Sequence, residues 1–262
     1  MGRLADLKGP PAVIERTVGT FCRVYNVNME EVQVPAEGYR SFDDFFTREL
    51  IPGARPIAED PELLVCPSDG RLEDCGPIEH KASFRVKGRL YDVAELIDDP
   101  SATGQFAGGS FAVIYLAPPD YHRVHAPVDG AVTEVRHVAG TLYPVNSIGL
   151  EHVPRLFAKN ERVVVEQDSP RYGRVCSILV GAIGVGRIGL SFDPLLTNTN
   201  DRSGGGVRRV DGPELARGDE VGMFHMGSTV ILLTTAKSPL SFVKAPGDRT
   251  RMGEALARRG VA

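Results

Sequence analysis

Two histidines, His122 and His125, stand three residues apart in PPDYHRVHAPVDG. Each ring alone reads as a satisfied core or turn residue. A pair of titratable rings beside a turn suits proton transfer, because imidazole titrates closest to neutrality. The H-x-x-H spacing also invites a metal. Against that, Pro118, Pro119 and Pro127 oppose a helix, and no carboxylate follows His122 as it does in H-E-x-x-H. In an extended segment, positions i and i+3 also face opposite sides. The reading is an acid–base site without a metal. Asp69 and Asp129 both occupy P-x-D-G, in PSDG and PVDG, where D-G makes a tight turn between strands. The turn accounts for Asp129. Asp69 is read differently, because a catalytic histidine needs a third group to orient it.

The stretch FHMGSTVILLTT supplies a nucleophile, Ser228, and three readings of it stand together. It could be a hydrolase serine, although no G-x-S-x-G elbow and no following helix accompany it. It could be a strand-start turn without chemistry. Or it could process its own chain. Gly227 leaves its carbonyl unshielded and permits unusual backbone angles. Attack by the Ser228 hydroxyl would convert the peptide to an ester, and elimination would leave dehydroalanine at 228. Hydrolysis with loss of ammonia would then leave a pyruvoyl ketone. Such a ketone takes up a substrate amine and accepts electrons as CO₂ leaves, work that pyridoxal phosphate does elsewhere.

These residues need elements to hold them. Residues 11–27 have helical spacing. Ile14, Val18, Phe21, Cys22 and Tyr25 form an apolar stripe, with Arg16 and Arg23 opposite. Such a helix either packs on its own domain or leans on lipid. SFDDFFTREL predicts a second helix over 41–50, with Ser41 as cap, Asp44 completing a capping box, and Phe42, Phe45, Phe46 and Leu50 on one face. From residue 62 the pattern turns to short strands separated by Gly, Pro and D-G turns. STVILLTT reads as a buried strand. Residues 193–218 are polar and glycine-rich and are expected to form an irregular connection.

The fold class is therefore α+β. N-terminal helices (1–55) are expected to pack on a mainly antiparallel β-sandwich (56–262) with lipoyl-like hairpin repeats. The 262 residues carry a net charge of −4, so charge gives no argument for nucleic acid. No apolar run reaches the length of a membrane-spanning helix. MGRLADLKGPPAVIERT lacks the apolar core of a signal peptide. Cys22, Cys66, Cys75 and Cys176 form no C-x-x-C pair and are expected to be free thiols of a reducing compartment. A dimer is the expectation on base rates.

In order along the chain, YRSFDDFFTREL, PSDGRL, YLAPPDYHRVHAPVDG, LFAKNERV, ILVGAIGVGRI and FHMGSTVI resemble the motifs of the phosphatidylserine decarboxylase family, and cover most of residues 39–235. The resemblance implies a self-cleaving proenzyme. Ser228 matches the precursor of its pyruvoyl cofactor, and the chain would be cut after Gly227. The products would be a β chain, 1–227, and an α chain of 35 residues (262 − 227) that stay together as a heterodimer. Asp69 and His125 match the partners of Ser228 in self-processing, and His122 matches the residue that serves decarboxylation or reprotonation. The implied reaction converts phosphatidylserine to phosphatidylethanolamine in phospholipid biosynthesis. The implied location is cytoplasmic, peripheral on the inner membrane face.

Three other functions were weighed. A pyruvoyl decarboxylase of a soluble amino acid fits the short N-terminus and the lack of tryptophan. A lipoyl- or biotinyl-type carrier would need a lysine beside the turn, where Val128 and Gly130 flank Asp129. A serine hydrolase would keep an intact chain.

Overall fold

The computed structural model describes residues 5–183, 187–198, 206–209, 212–225 and 228–260. Helix α1 spans Pro11–Tyr25, with proline in its first turn and Asn26 in the left-handed conformation at its end. Strand β1 (Val32–Gln33) follows, and then helix α2 (Phe42–Phe46), whose first turn is capped by the Ser41 side chain, which accepts from the Asp44 N–H. The Asp44 carboxylate returns to the Arg40 N–H. The helix predicted over 41–50 is therefore shorter: Glu49–Leu50 forms β2, paired with β1, and Leu50 lies on no helix face. The pull of backbone pairing at 49–50 overrides helix propensity.

The remaining strands, in chain order, are β3 (Leu63–Val65), β4 (Gly70–Pro77), β5 (Ser83–Val86), β6 (Arg89–Asp92), β7 (Ser110–Leu116), β8 (Arg123–His125), β9 (Gly130–Val138), β10 (Arg162–Ser169), β11 (Gly173–Gly181), β12 (Arg187–Leu190), β13 (Gly206–Arg209), β14 (Glu214–Leu215), β15 (Glu220–His225), β16 (Ser228–Thr234), β17 (Leu240–Phe242), β18 (Arg249–Thr250) and β19 (Ala255–Arg259). All the pairings between these strands are antiparallel. The main sheet runs β13-β9-β10-β11-β16-β7-β4-β18, with β14 also on β9. Residues 193–218 thus include two short strands, not only an irregular connection: β9 lies at the sheet edge, and its unpaired backbone groups recruit them. One face of the sheet packs on two three-stranded sheets, β12-β15-β8 and β17-β19-β3. The other face packs on the β5–β6 hairpin and short helices. The fold is α+β, as expected.

The register contains an internal duplication. β19 meets β3 through Ala255↔Val65, Ala257↔Leu64 and Arg258↔Leu63, with a shift after 255. β15 meets β8 through Glu220↔His125, Gly222↔Val124 and Met223↔Arg123, with the same shift after 220. Arg249↔Arg71 and Thr250↔Gly70 are matched by Glu214↔Ala131 and Leu215↔Gly130. The two P-x-D-G turns bond to each other reciprocally: the Val65 N–H donates to the Pro127 carbonyl (3.1 Å) and the His125 N–H to that of Pro67 (2.8 Å). A pseudo-two-fold between β11 and β16 therefore relates two units. The second unit, 123–225, is inserted between β7 and β16 of the first.

Gly218 and Gly253 are equivalent under this relation, and both have left-handed φ, +94° and +87°. A Cβ on Gly253 would lie 2.6 Å from the Pro56 carbonyl oxygen. Gly253→Ala should therefore destabilise the fold by about 1–3 kcal/mol in urea denaturation. Gly19, in the middle of α1 with open space around its Cα, should gain up to about 1 kcal/mol on change to alanine. A gain at Gly253 or a loss at Gly19 would contradict this geometry.

Candidate active site

The chain crosses between the main sheet and the β12-β15-β8 sheet twice, side by side. β7 and β16 pair up to Leu116↔Ser228, and β8 and β15 resume pairing at Arg123↔Met223. The Phe224 N–H donates to the His122 carbonyl at 3.0 Å, which extends that second ladder by one step. The loop 117–122 therefore joins the ends of two ladders whose other strands are the end of β15 and the start of β16. Gly227, the expected cut, lies outside the described residues.

Ser228 heads β16 and is hydrogen-bonded in register with β7 on one side and β11 on the other. It is in phase with Val230 and Leu232, so it faces the core cluster that also holds Val124 and Phe224 of the smaller sheet. Ser228 is fully buried and its Oγ has no hydrogen-bond partner. A buried hydroxyl without a partner costs free energy, and Ser228 shares this with Ser68, Ser177, Thr229, Thr235 and Ser238.

His122 closes the loop opposite. Its Nδ1–H donates to the Asp120 carbonyl at 2.8 Å, which leaves the lone pair on Nε2. Nε2 is buried and has no partner. The ring packs on Phe46 of α2, with centroids 4.1 Å apart. Burial, and secondarily the charge of Arg48, pushes the imidazole down to about 3, so it is a neutral base at physiological pH.

His125 has a different setting. Its Nδ1–H donates to the Gly218 carbonyl at 2.7 Å, and its Nε2 is 3.1 Å from the Tyr121 hydroxyl. Burial lowers its pKa and raises that of Tyr121, so Tyr121 keeps its proton and donates it in this bond. Asp69 is not hydrogen-bonded to His125. Its carboxylate takes Arg55 bidentately, at 2.6–3.2 Å, and the Met252 N–H at 2.9 Å. The charge of Asp69 nevertheless acts on His125 through space and favours its protonated form. The duplication separates the two aspartates. Asp129 accepts the Arg217 N–H just as Asp69 accepts that of Met252, so the turn bond is common to both. The buried arginine belongs to Asp69 alone. His125 occupies the position equivalent to Val65, so the histidine too is a departure from the repeat.

The sequence reading missed the residues that clamp the two crossings. α2 and the residues after it touch both. Phe46 covers His122, Arg48 donates to the Pro119 and Asp120 carbonyls, and Asp43 accepts from His225 Nδ1 at 2.8 Å. Arg123 reaches back to the Thr47 carbonyl and to Glu49. The SFDDFFTREL motif carries the signal, but its capping box, apolar face and family resemblance do not show that Asp43, Phe46 and Arg48 reach the site. Beside these residues lies a polar cleft of about 480 Å³, lined by Arg48, Arg55, Asp69, Asp120, Tyr121 and Arg249 among others. Among the described residues no cluster of His, Cys, Asp and Glu has the arrangement of a metal site. The arrangement offers a buried nucleophile, a neutral base on the facing crossing, and a second imidazole under the influence of a carboxylate.

Comparison with known proteins agrees with the motifs. The family model for phosphatidylserine decarboxylase matches residues 42–258. The phosphatidylserine decarboxylase proenzyme of Bordetella pertussis (strain Tohama I) is 41% identical over 268 residues, covering 98% of this chain and 88% of its own. That of Xanthomonas campestris pv. campestris (strain B100) is 40% identical over 255 residues, covering 96% and 90%. That of Pseudomonas paraeruginosa (strain PA7) is 42% identical over 252 residues, covering 93% and 86%.

A histidine held neutral by burial makes stability depend on pH. Its folded pKa is below the unfolded value, so its contribution is fully present above about 6.5 and is lost as pH falls toward 3. Between pH 7 and pH 5, His122 should account for about 2 kcal/mol of lost stability. Urea denaturation of uncut Ser228→Ala chains, with and without His122→Gln, measures this: the second variant should lose that much less. Equal losses would contradict a buried neutral His122.

Proposed function

The chain belongs to the phosphatidylserine decarboxylase family, and we propose that it converts phosphatidylserine to phosphatidylethanolamine with a pyruvoyl group made from its own Ser228. The observation that supports this reading is the buried, unpartnered Ser228 hydroxyl at the head of β16, inside a family match that spans residues 42–258. A strand that begins at the new chain end suits a prosthetic group that must be held rigidly. A pyruvoyl group supplies a carbonyl that takes up the substrate amine and accepts the electron pair released with CO₂.

In self-processing, His125 takes the Ser228 proton as Oγ attacks the Gly227 carbonyl, and the proton passes to the amide nitrogen as the peptide becomes an ester. Loss of the α-proton at 228 expels the Gly227 carboxylate. Water then replaces ammonia at the residue left behind. Asp69 favours the protonated imidazole electrostatically, while the Gly218 carbonyl orients the ring. In turnover, the substrate arrives as an ammonium. The neutral Nε2 of His122 can accept a hydrogen bond from that ammonium, and His122 is the candidate to deliver a proton to carbon after CO₂ departs. The apolar wall made by Phe46 beside His122 favours loss of the carboxylate's charge.

We assign residues 56–262 to catalysis and, within 1–55, helix α1 to membrane contact, while Phe46, Arg48 and Arg55 reach the catalytic residues. No helix among the described residues is long and apolar enough to cross a membrane. The outer face of α1 leaves Val13, Val24 and Tyr25 exposed, and with Phe21 and Phe42 they line an apolar groove of about 940 Å³. Arg16 lies at the same groove. An apolar helix face with adjacent cations suits a peripheral position on an anionic cytoplasmic leaflet. This face favours a lipid over a soluble amino acid as substrate. The duplicated hairpin units are read as lipoyl-like, but Ser68 and Val128 stand where a carrier would need lysine.

Ser228→Ala should leave one uncut, inactive chain on a denaturing gel. His122→Ala should still cut but lose about 10²–10⁴-fold in decarboxylation of phosphatidylserine vesicles. An uncut His122→Ala chain would reverse the roles given to the two histidines.

A further inference from the structure

We propose that Arg48 is the site that binds the phosphodiester anion of the substrate headgroup. The inference rests on the decarboxylase reading given above and adds a ligand contact to it.

The cleft beside the active site contains four arginines and three carboxylates, and the carboxylates are all taken. Asp69 and Glu31 hold Arg55 at 2.6 and 2.8 Å, Glu31 also holds Arg251, and Asp120 holds Arg249 at 2.8 Å. Arg48 is left without a carboxylate. Its side chain is 4% exposed, yet only Nη2 is bonded, to the Pro119 and Asp120 carbonyls; Nε and Nη1 have no partner. A buried guanidinium with two unpaired donors and no counter-ion is costly, a cost only partly offset by the Phe45 ring, 5.0 Å from its Cζ, and each of the two free N–H groups can take one oxygen of an anion.

The chemistry of the reaction selects between those two anions. A cation paired with the substrate carboxylate would stabilise the ground state that must lose its charge, and would slow the loss of CO₂. The phosphodiester keeps its charge throughout, so binding it costs nothing in the transition state. The position agrees. Arg48 follows α2, which covers His122, and the cleft it lines is also lined by Tyr25 and Asn26, where α1 ends. A headgroup entering past α1, with its acyl chains left outside, would meet Arg48 before the reacting carbon meets His122. An anion at Arg48 would also offset the repulsion that this arginine exerts on His122.

The test uses self-cleaved wild-type enzyme and Arg48→Lys and Arg48→Gln variants, with complete cleavage and an unchanged melting temperature as the check of folding. Binding of glycerophosphoethanolamine, which has the phosphodiester but no acyl chains, is compared with that of ethanolamine, which has neither, and of inorganic phosphate. Glycerophosphoethanolamine should bind at least tenfold more weakly to both variants, with ethanolamine unchanged and the KM for phosphatidylserine raised more than kcat is lowered. Equal weakening of both ligands, or of neither, would overturn the proposal, as would weakening of inorganic phosphate alone. If both variants misfold, wild type still decides: glycerophosphoethanolamine must raise its melting temperature where ethanolamine does not, and the absence of that difference overturns the proposal. Failure of wild type to decarboxylate phosphatidylserine at all would sink the functional reading instead, a result distinct from an active wild type with unaffected variants.

Discussion

Nesting one copy of a structural unit inside another forces the chain to leave the main sheet and return to it at the same place. Residues 117–122 carry it out and the step from β15 to β16 brings it back, and antiparallel pairing on both sides holds the two crossings together. The ladder is broken there by necessity, because neither small nor large sheet continues through the junction. That break puts irregular backbone in the interior, where orphaned polar groups are expensive. Ser228 Oγ and His122 Nε2 are such groups. They are tolerated because everything around them is over-determined: β16 is paired on both edges, His122 is fixed through Nδ1 and Phe46, and α2 is tied to both crossings.

The same nesting would let the fold stand if the chain were cut before Ser228, as proposed. β16 lies between β7 and β11, β18 pairs with β4, and β19 pairs with β3. The short fragment is thus held by strands of the long one throughout its length, and buries Val230, Ile231, Leu232 and Leu233 between two core clusters. At ~1.5–3 kcal/mol for each buried aliphatic side chain, this burial far exceeds what one broken connection in a short step can release. The proton chemistry is divided in the same way. His122 is sealed and neutral, whereas His125 is held by Tyr121 and the Gly218 carbonyl and feels the charges of Glu220 and Asp69.

Much of this was legible in the chain. The bounds of α1, the Ser41 cap, the D-G turns, the free thiols and a buried strand starting at Ser228 follow from local rules, and each is local in the structure. What was not legible depends on pairing at a distance. The 41–50 helix stops at Phe46 because Glu49 and Leu50 find β1. The strands within 206–215 exist because β9 has a free edge. The duplication hides because VCPSDG and HAPVDG share only the turn, while the repeat is carried by backbone register. Arg55, in IPGARPI, carries only a loop signal, yet it is the residue that distinguishes Asp69 from Asp129.

All of the chemistry presupposes that residue 228 no longer begins with an amine. Intact-mass spectrometry of the freshly purified protein under denaturing conditions reads this directly. The account requires two species, one ending at Gly227 and one of 35 residues (262 − 227) that is lighter by one ammonia than a peptide beginning with serine. An active preparation containing only the full-length chain, or a short fragment that still bears an N-terminal serine, would contradict it.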